Sequence, residues 1–231
     1  YTFTVTANGT QLNASKNGAA ATKIATIDAK GIITYNKVDK NAQTLLNKSA
    51  YNVDPFTAGI EIVVTNECDE ILPLTGNKFD VKFLRPINVV DLKSAELKDA
   101  TTGTAKIDMS KLLGLTDWRG EAFAVEPLDF YTYYGIEGAT AISIDKDKIM
   151  TTLNASEAAP KLLKDVAPNM SIDYACDLKK SGNDITYGDL VYANGKFTIN
   201  APFKLFIPVT VKYTFGEVTS TVTLTITPTH D

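Results

Sequence analysis

Trp118, Tyr131, Tyr133 and Tyr134 are the residues best suited to meet another molecule, and they fall in one aromatic stretch of the chain. Such rings combine a broad apolar face with a polar edge, which suits stacking on a sugar or anchoring a partner protein. Packing is the competing role. If FYTYY is a strand, Tyr131 and Tyr133 face one side while Phe130 and Tyr134 face the other, and at least one pair belongs to the core. A lone tryptophan is also more often core than platform, so packing is the stronger expectation for this set.

Glu121, Glu126, Asp129 and Glu137 surround the same stretch, and a glycosidase needs only two converging carboxylates. A chain with 27 acidic residues offers such pairs on any solvated surface, so they assign no catalytic role. Asp145 and Asp147 in SIDKDK have the right atoms for calcium, but the lysines between and after them offset the charge and no EF-hand spacing follows. The only histidine is His230, beside the C-terminal end of the sequence, which leaves Ser-His-Asp, Cys-His and His-rich zinc sites without their central residue. No Walker motif, no GxGxxG after a strand and no HExxH occurs. The expectation is a protein that is not an enzyme, with no metal and no cofactor.

Cysteine adds little. Glu67, Asp69 and Glu70 flank Cys68 and disfavour a thiolate there. A bridge from Cys68 to Cys176 and two unpaired thiols both remain open, because pairing depends on geometry. N-x-S/T triplets begin at Asn8, Asn13, Asn47, Asn154 and Asn169, and an Asn- and Thr-rich composition produces such triplets by chance.

The elements that must position these residues are mostly strands. Phe203, Leu205, Ile207, Val209, Val211, Tyr213 and Phe215 take every odd position of one segment. After Gly216 the phase changes, and Val218, Val222, Leu224 and Ile226 take even positions against threonines. That pattern predicts a long antiparallel hairpin, apolar on one face and threonine-rich on the other. Earlier segments predict shorter strands: Tyr1, Phe3 and Val5 before an Asn8-Gly9 turn, IATID and GIITYN around Ala29-Lys30-Gly31, Ile60, Ile62 and Val64, then Phe79, Val81 and Phe83. Later ones are AISID, Tyr174 to Asp177, Asp184 to Tyr187 and Lys196 to Ile199. Residues 41–49 suit one or two helical turns, Asp108 or Ser110 caps a single turn, and residues 154–166 are the best helix candidate, with Ser156 as cap.

A chain of 231 residues, 44% apolar and 22% charged, can build one large or two modest cores. A net charge of −4 without basic clusters argues against nucleic acid as a partner. No apolar run approaches the roughly 20 residues of a membrane-spanning helix, so no membrane insertion by this segment is expected. The absence of an initiating methionine and the strand-like opening suit a mature fragment. Ile33-Thr34-Tyr35 ahead of Asn52 to Phe56, and Ile185-Thr186-Tyr187 ahead of Asn200 to Phe203, form a faint repeat that favours two modules. Many short strands, threonine-rich faces and frequent turns predict an all-β fold: two tandem immunoglobulin-like β-sandwich modules with short helical insertions, over residues 1–90 and 91–231. The Cys, Trp and Cys spacing of antibody domains is absent.

FLRPINV at 83–89, DWRG at 117–120 and VTVKYTFGEVTSTVTLTI at 209–226 resemble the repeated immunoglobulin-like modules of large surface proteins from gut Bacteroidetes. The resemblance covers the module ends well and their middles poorly. It implies an extracytoplasmic chain, at the cell surface or secreted, serving as a non-catalytic adhesion or spacer unit. The alternative is a carbohydrate-binding protein that uses the aromatic surface around residues 118–134. A glycan or another surface protein is the partner that either role implies, and the sequence assigns no oligomeric state.

Overall fold

The computed structural model describes residues 2–6, 11–14, 22–28, 30–48, 56–93, 96–98, 104–121, 130–153, 159–182, 184–194 and 201–227. About half of the described residues lie in strands and 14% in helices, so the fold is mostly β. The chain divides into two compact units, Tyr1–Pro86 with Phe215–Glu217, and Ile87–Thr214 with Val218–Asp231.

The first unit contains β1 (Thr2–Thr6), β2 (Gln11–Ala14), β3 (Thr22–Ile27), β4 (Ile33–Tyr35), α1 (Lys40–Lys48), β5 (Phe56–Thr65), β6 (Ile71–Leu72) and β7 (Lys78–Phe83). β5 is its organiser, pairing antiparallel with β1, β6 and β7, while β2, β3 and β4 form a second sheet. Ala25 and Ile27 of β3, Ala42 of α1 and Ile60 of β5 make one buried cluster, with Tyr35, Leu45, Val81 and Phe83 packed against it. α1 starts where Asp39 Oδ1 accepts the Ala42 amide at 2.9 Å, a side-chain cap on an otherwise unpaired donor. Ala42 and Leu46, four residues apart, bury the same helical face. The Tyr35 hydroxyl donates to the Ala42 carbonyl at 2.5 Å. Burial, aided by the Asp39 charge, pushes that phenol up to about 12.

The second unit begins with β8 (Ile87–Asp91), β9 (Glu96–Lys98), β10 (Thr104–Asp108), β11 (Leu113–Asp117) and the one-turn helix α2 (Phe130–Tyr133). β12 (Ile142–Ile144), β13 (Met150–Thr152), β14 (Lys161–Leu162), the one-turn helix α3 (Leu163–Val166) and β15 (Ser171–Tyr174) follow. It ends with β16 (Lys179–Ser181), β17 (Asp184–Thr186), β18 (Asp189–Ala193), β19 (Phe203–Tyr213) and β20 (Gly216–Thr227). A six-stranded sheet runs β14, β13, β19, β20, β9, with β12 also on β19. β9 lies parallel to β20 and the other registered pairs of this sheet are antiparallel. β10, β18 and β15 form a second sheet, β8 pairs with β11, and β16 with β17.

β19 and β20 form the long hairpin that alternation predicts. All six odd residues from Phe203 to Tyr213 are buried, as are Val218, Val222, Leu224 and Ile226. On the opposite face the Thr210 and Thr219 hydroxyls meet at 3.1 Å across the strands. Asp91 at the end of β8 reaches the same hairpin: its carboxylate accepts the Thr223 amide at 3.1 Å and the Thr223 hydroxyl at 2.7 Å. It thereby satisfies a backbone donor of β20 with a side chain.

Three local expectations are corrected. FYTYY is not a strand: Tyr134 N donates to Phe130 O and Ile136 N to Tyr131 O, and Gly135 at φ +65° ends the turn. The helix expected over 154–166 is mostly absent from its described part. Lys161 and Leu162 pair instead with Thr151 and Met150 of β13, and only Leu163–Val166 turns helical, since ladder bonds outweigh local propensity here. Its cap candidate Ser156 lies outside the described residues, as do Asn8, Asn52 to Pro55, Asn154, Lys196 to Asn200 and His230. Finally, Tyr174 to Asp177 is strand only through Tyr174, in β15. The capped turn after Asp108 is found, with Asp108 Oδ1 accepting from Ser110 N at 2.7 Å. Cys68 and Cys176 are both free thiols.

Candidate binding surface around Trp118 and Tyr133

β11 delivers Trp118. Leu113 and Leu115 point into the core and the strand runs antiparallel to β8, from Leu113 opposite Asp91 to Asp117 opposite Ile87. Asp117 then closes a turn. Its Oδ1 accepts the amides of Arg119 at 2.8 Å and Glu121 at 3.0 Å, and Gly120 takes φ +89°. Asp117 Oδ2 accepts from Arg119 Nε at 3.2 Å. The guanidinium so held lies 5.3 Å from the centroid of the Trp118 ring, within cation–π range. Arg119 also stands 4.0 Å from the Glu121 carboxylate. Partial burial works to raise the Asp117 carboxyl, but the two amide bonds and the guanidinium outweigh it and hold the group below the usual carboxylate range. Trp118 is 40% exposed at the tip of this turn.

α2 delivers the tyrosines, and its helical geometry sorts them differently from a strand. Phe130 and Tyr134, four residues apart, share a face, their rings 4.6 Å apart and tilted by 54°. Tyr133 meets Tyr134 edge-on at 4.9 Å and remains 63% exposed. Tyr131 turns inward, where its hydroxyl lies 2.7 Å from that of the buried Tyr187. The Tyr174 hydroxyl donates to the Tyr187 carbonyl at 2.6 Å. Burial is the main cause that drives the Tyr187 and Tyr174 phenols well above the usual range.

The turn is fixed to the hairpin by its backbone. The amide and hydroxyl of Thr214 both donate to the Tyr134 carbonyl at 2.8 Å, and Lys212 N donates to Ala141 O at 2.8 Å. Tyr134 packs 6.5 Å from Tyr213. Its phenol is raised by burial, then by Tyr133, then by the charge of Asp117. Of the four aromatic candidates, Trp118 and Tyr133 face solvent, whereas Tyr131 and Tyr134 are partly buried and hold α2 in place. Sequence reasoning missed Arg119, Tyr174, Tyr187 and Tyr213 as their supports.

Glu126 and Asp129 lie outside the described residues, and Glu121 and Glu137 are exposed. Asp145 pairs with Lys148 at 2.8 Å and Asp147 with Lys164 at 3.4 Å, so SIDKDK forms surface ion pairs. Among the described residues no group of three or more His, Cys, Asp or Glu is placed to hold a metal ion. No described helix is long and apolar enough to cross a membrane. Comparison of the chain with protein-family models and with curated proteins finds no match.

Proposed function

We propose that the chain is a non-catalytic, extracytoplasmic pair of immunoglobulin-like β-sandwich modules, acting at the cell surface as an adhesion or spacer unit. The observation that carries this reading is how polar side chains are used in the second unit. Asp91 is bonded to Thr223, Thr151 to the Lys204 carbonyl, Thr214 to Tyr134, and the hydroxyls of Tyr131 and Tyr187 to each other. These groups lock strands and turns around a hairpin of eleven and twelve residues. Such cross-locking suits a module that must keep its shape while joined to others. Beads coated with the protein, drawn over glycan- and protein-coated surfaces under flow, test it. Retention indicates adhesion and free passage a spacer, while release of cleaved sugar or peptide from the surface contradicts the non-catalytic reading.

A second reading, carbohydrate binding through the aromatic surface, is favoured by one observation. Trp118 and Tyr133 keep 40% and 63% of their surface exposed although their neighbours are packed and hydrogen-bonded. Rings held rigid before contact lose little entropy on binding, which is how aromatic anchors gain affinity.

A further inference from the structure

We propose that residues 215–217, the reversal of the β19–β20 hairpin, are a clasp that completes the first unit, so that α1 and β4 keep full protection only while the clasp is seated. The first unit is built from two separate pieces of chain, Tyr1–Pro86 and Phe215–Glu217. The second piece is short, yet it meets the first in three ways. The Phe215 ring lies edge-on to Tyr35 of β4 at 5.7 Å, and Tyr35 in turn lies 6.2 Å from Phe83 of β7. Tyr35 and Phe83 pack against the buried cluster of this unit, so Phe215 extends that packing by one ring. Asn47 Nδ2, in the last turn of α1, donates to the Phe215 carbonyl at 3.0 Å, while the Asn47 carbonyl accepts from Arg85 Nη1 at 3.2 Å. Gly216 follows at φ +106°, where a Cβ would lie 3.0 Å from Asn47 Nδ2 and 3.1 Å from the Gln43 Cβ. Gln43 and Asn47 are one helical turn apart, so the reversal lies against one side of α1 at a distance that favours glycine.

A helix of nine residues draws most of its stability from what it packs against. Ala42 and Leu46 bury one face of α1, and the clasp meets the neighbouring side at Gln43 and Asn47. Tyr35 ties β4 to the same helix through its bond to the Ala42 carbonyl, so loss of the Phe215 ring is felt at both elements. The clasp also sets an order of events. Residues 215–217 follow residues 87–214 in the chain, so the first unit lacks part of its packing until nearly all of the sequence has been made.

Native-state hydrogen exchange of the full chain, read by mass spectrometry, tests this with Phe215→Ala, Phe215→Leu and Gly216→Ala. Thr219→Ala, which removes the hydroxyl that meets Thr210 across the strands, is the control on the same hairpin. The expected result is exchange at α1 and β4 faster by about tenfold or more in Phe215→Ala and Gly216→Ala, and by less in Phe215→Leu, with β10 and β18 unchanged to within about twofold. Thr219→Ala leaves α1 and β4 as they are in the parent. Unchanged exchange at α1 and β4 in the Phe215 and Gly216 variants overturns the inference. Equal loosening in Thr219→Ala, or loosening that spreads equally to β10 and β18, also overturns it, since the hairpin is then weakened as a whole and α1 merely follows. If Phe215→Ala does not fold, the milder Phe215→Leu carries the same test.

Discussion

The hydroxyls of Tyr131 and Tyr187 lie 2.7 Å apart, joining the one-turn helix that displays Tyr133 to a tyrosine that is only 3% exposed. The two phenols share one hydrogen bond in a poorly solvated place. Tyr187→Phe and Tyr131→Phe should each cost about 1–2 kcal/mol in urea unfolding. The double variant should cost clearly less than the sum, because both substitutions remove the same bond. Additive costs would show that the hydroxyl pair is not a coupled unit.

Alkaline pH should reveal the same burial. The phenols of Tyr35, Tyr174 and Tyr187 are all raised, Tyr35 to about 12, with burial the leading cause in each. In the unfolded chain they ionise near about 10. Above that pH the unfolded state releases protons that the folded state retains, so stability is full below about pH 10 and falls as pH rises towards the folded values. Tyrosinate absorbance of the native protein should rise in at least two phases, the late one coinciding with loss of structure. A single phase near pH 10, with structure intact, would contradict the burial of these rings.

Gly188 sits at φ +99°, and a Cβ there would lie 2.5 Å from the Ala175 carbonyl oxygen and 2.8 Å from the Asp177 amide nitrogen. Backbone cannot step aside as a flexible side chain can. Gly182, at φ +60°, has open space around its own would-be Cβ. Gly188→Ala should therefore cost on the order of 3–5 kcal/mol in chemical unfolding, and Gly182→Ala about 1 kcal/mol. Equal costs would mean that backbone conformation alone, and not the close approach, constrains Gly188.

Alternation made the hairpin of β19 and β20 legible, because burial on one face of a strand imposes a period of two on the sequence. The aromatic stretch was misread for the converse reason. Five residues hold too little periodicity to separate a helical turn from a strand, and what decides the matter is the bond from Thr214 to the Tyr134 carbonyl, eighty positions away in sequence. β14 was hidden similarly, since Lys161 and Leu162 become strand only through pairing with β13. Trp118 was identified as a candidate from its residue type. The Asp117 and Arg119 clamp behind it needed side-chain geometry.

Exposure at the cell surface is the claim that the adhesion, spacer and glycan readings share. Antibody raised against this chain, applied to intact cells of its source and to the same cells after permeabilisation, tests it most directly. The account predicts full labelling of intact cells and its loss after brief external protease treatment. Labelling that appears only after permeabilisation would contradict it.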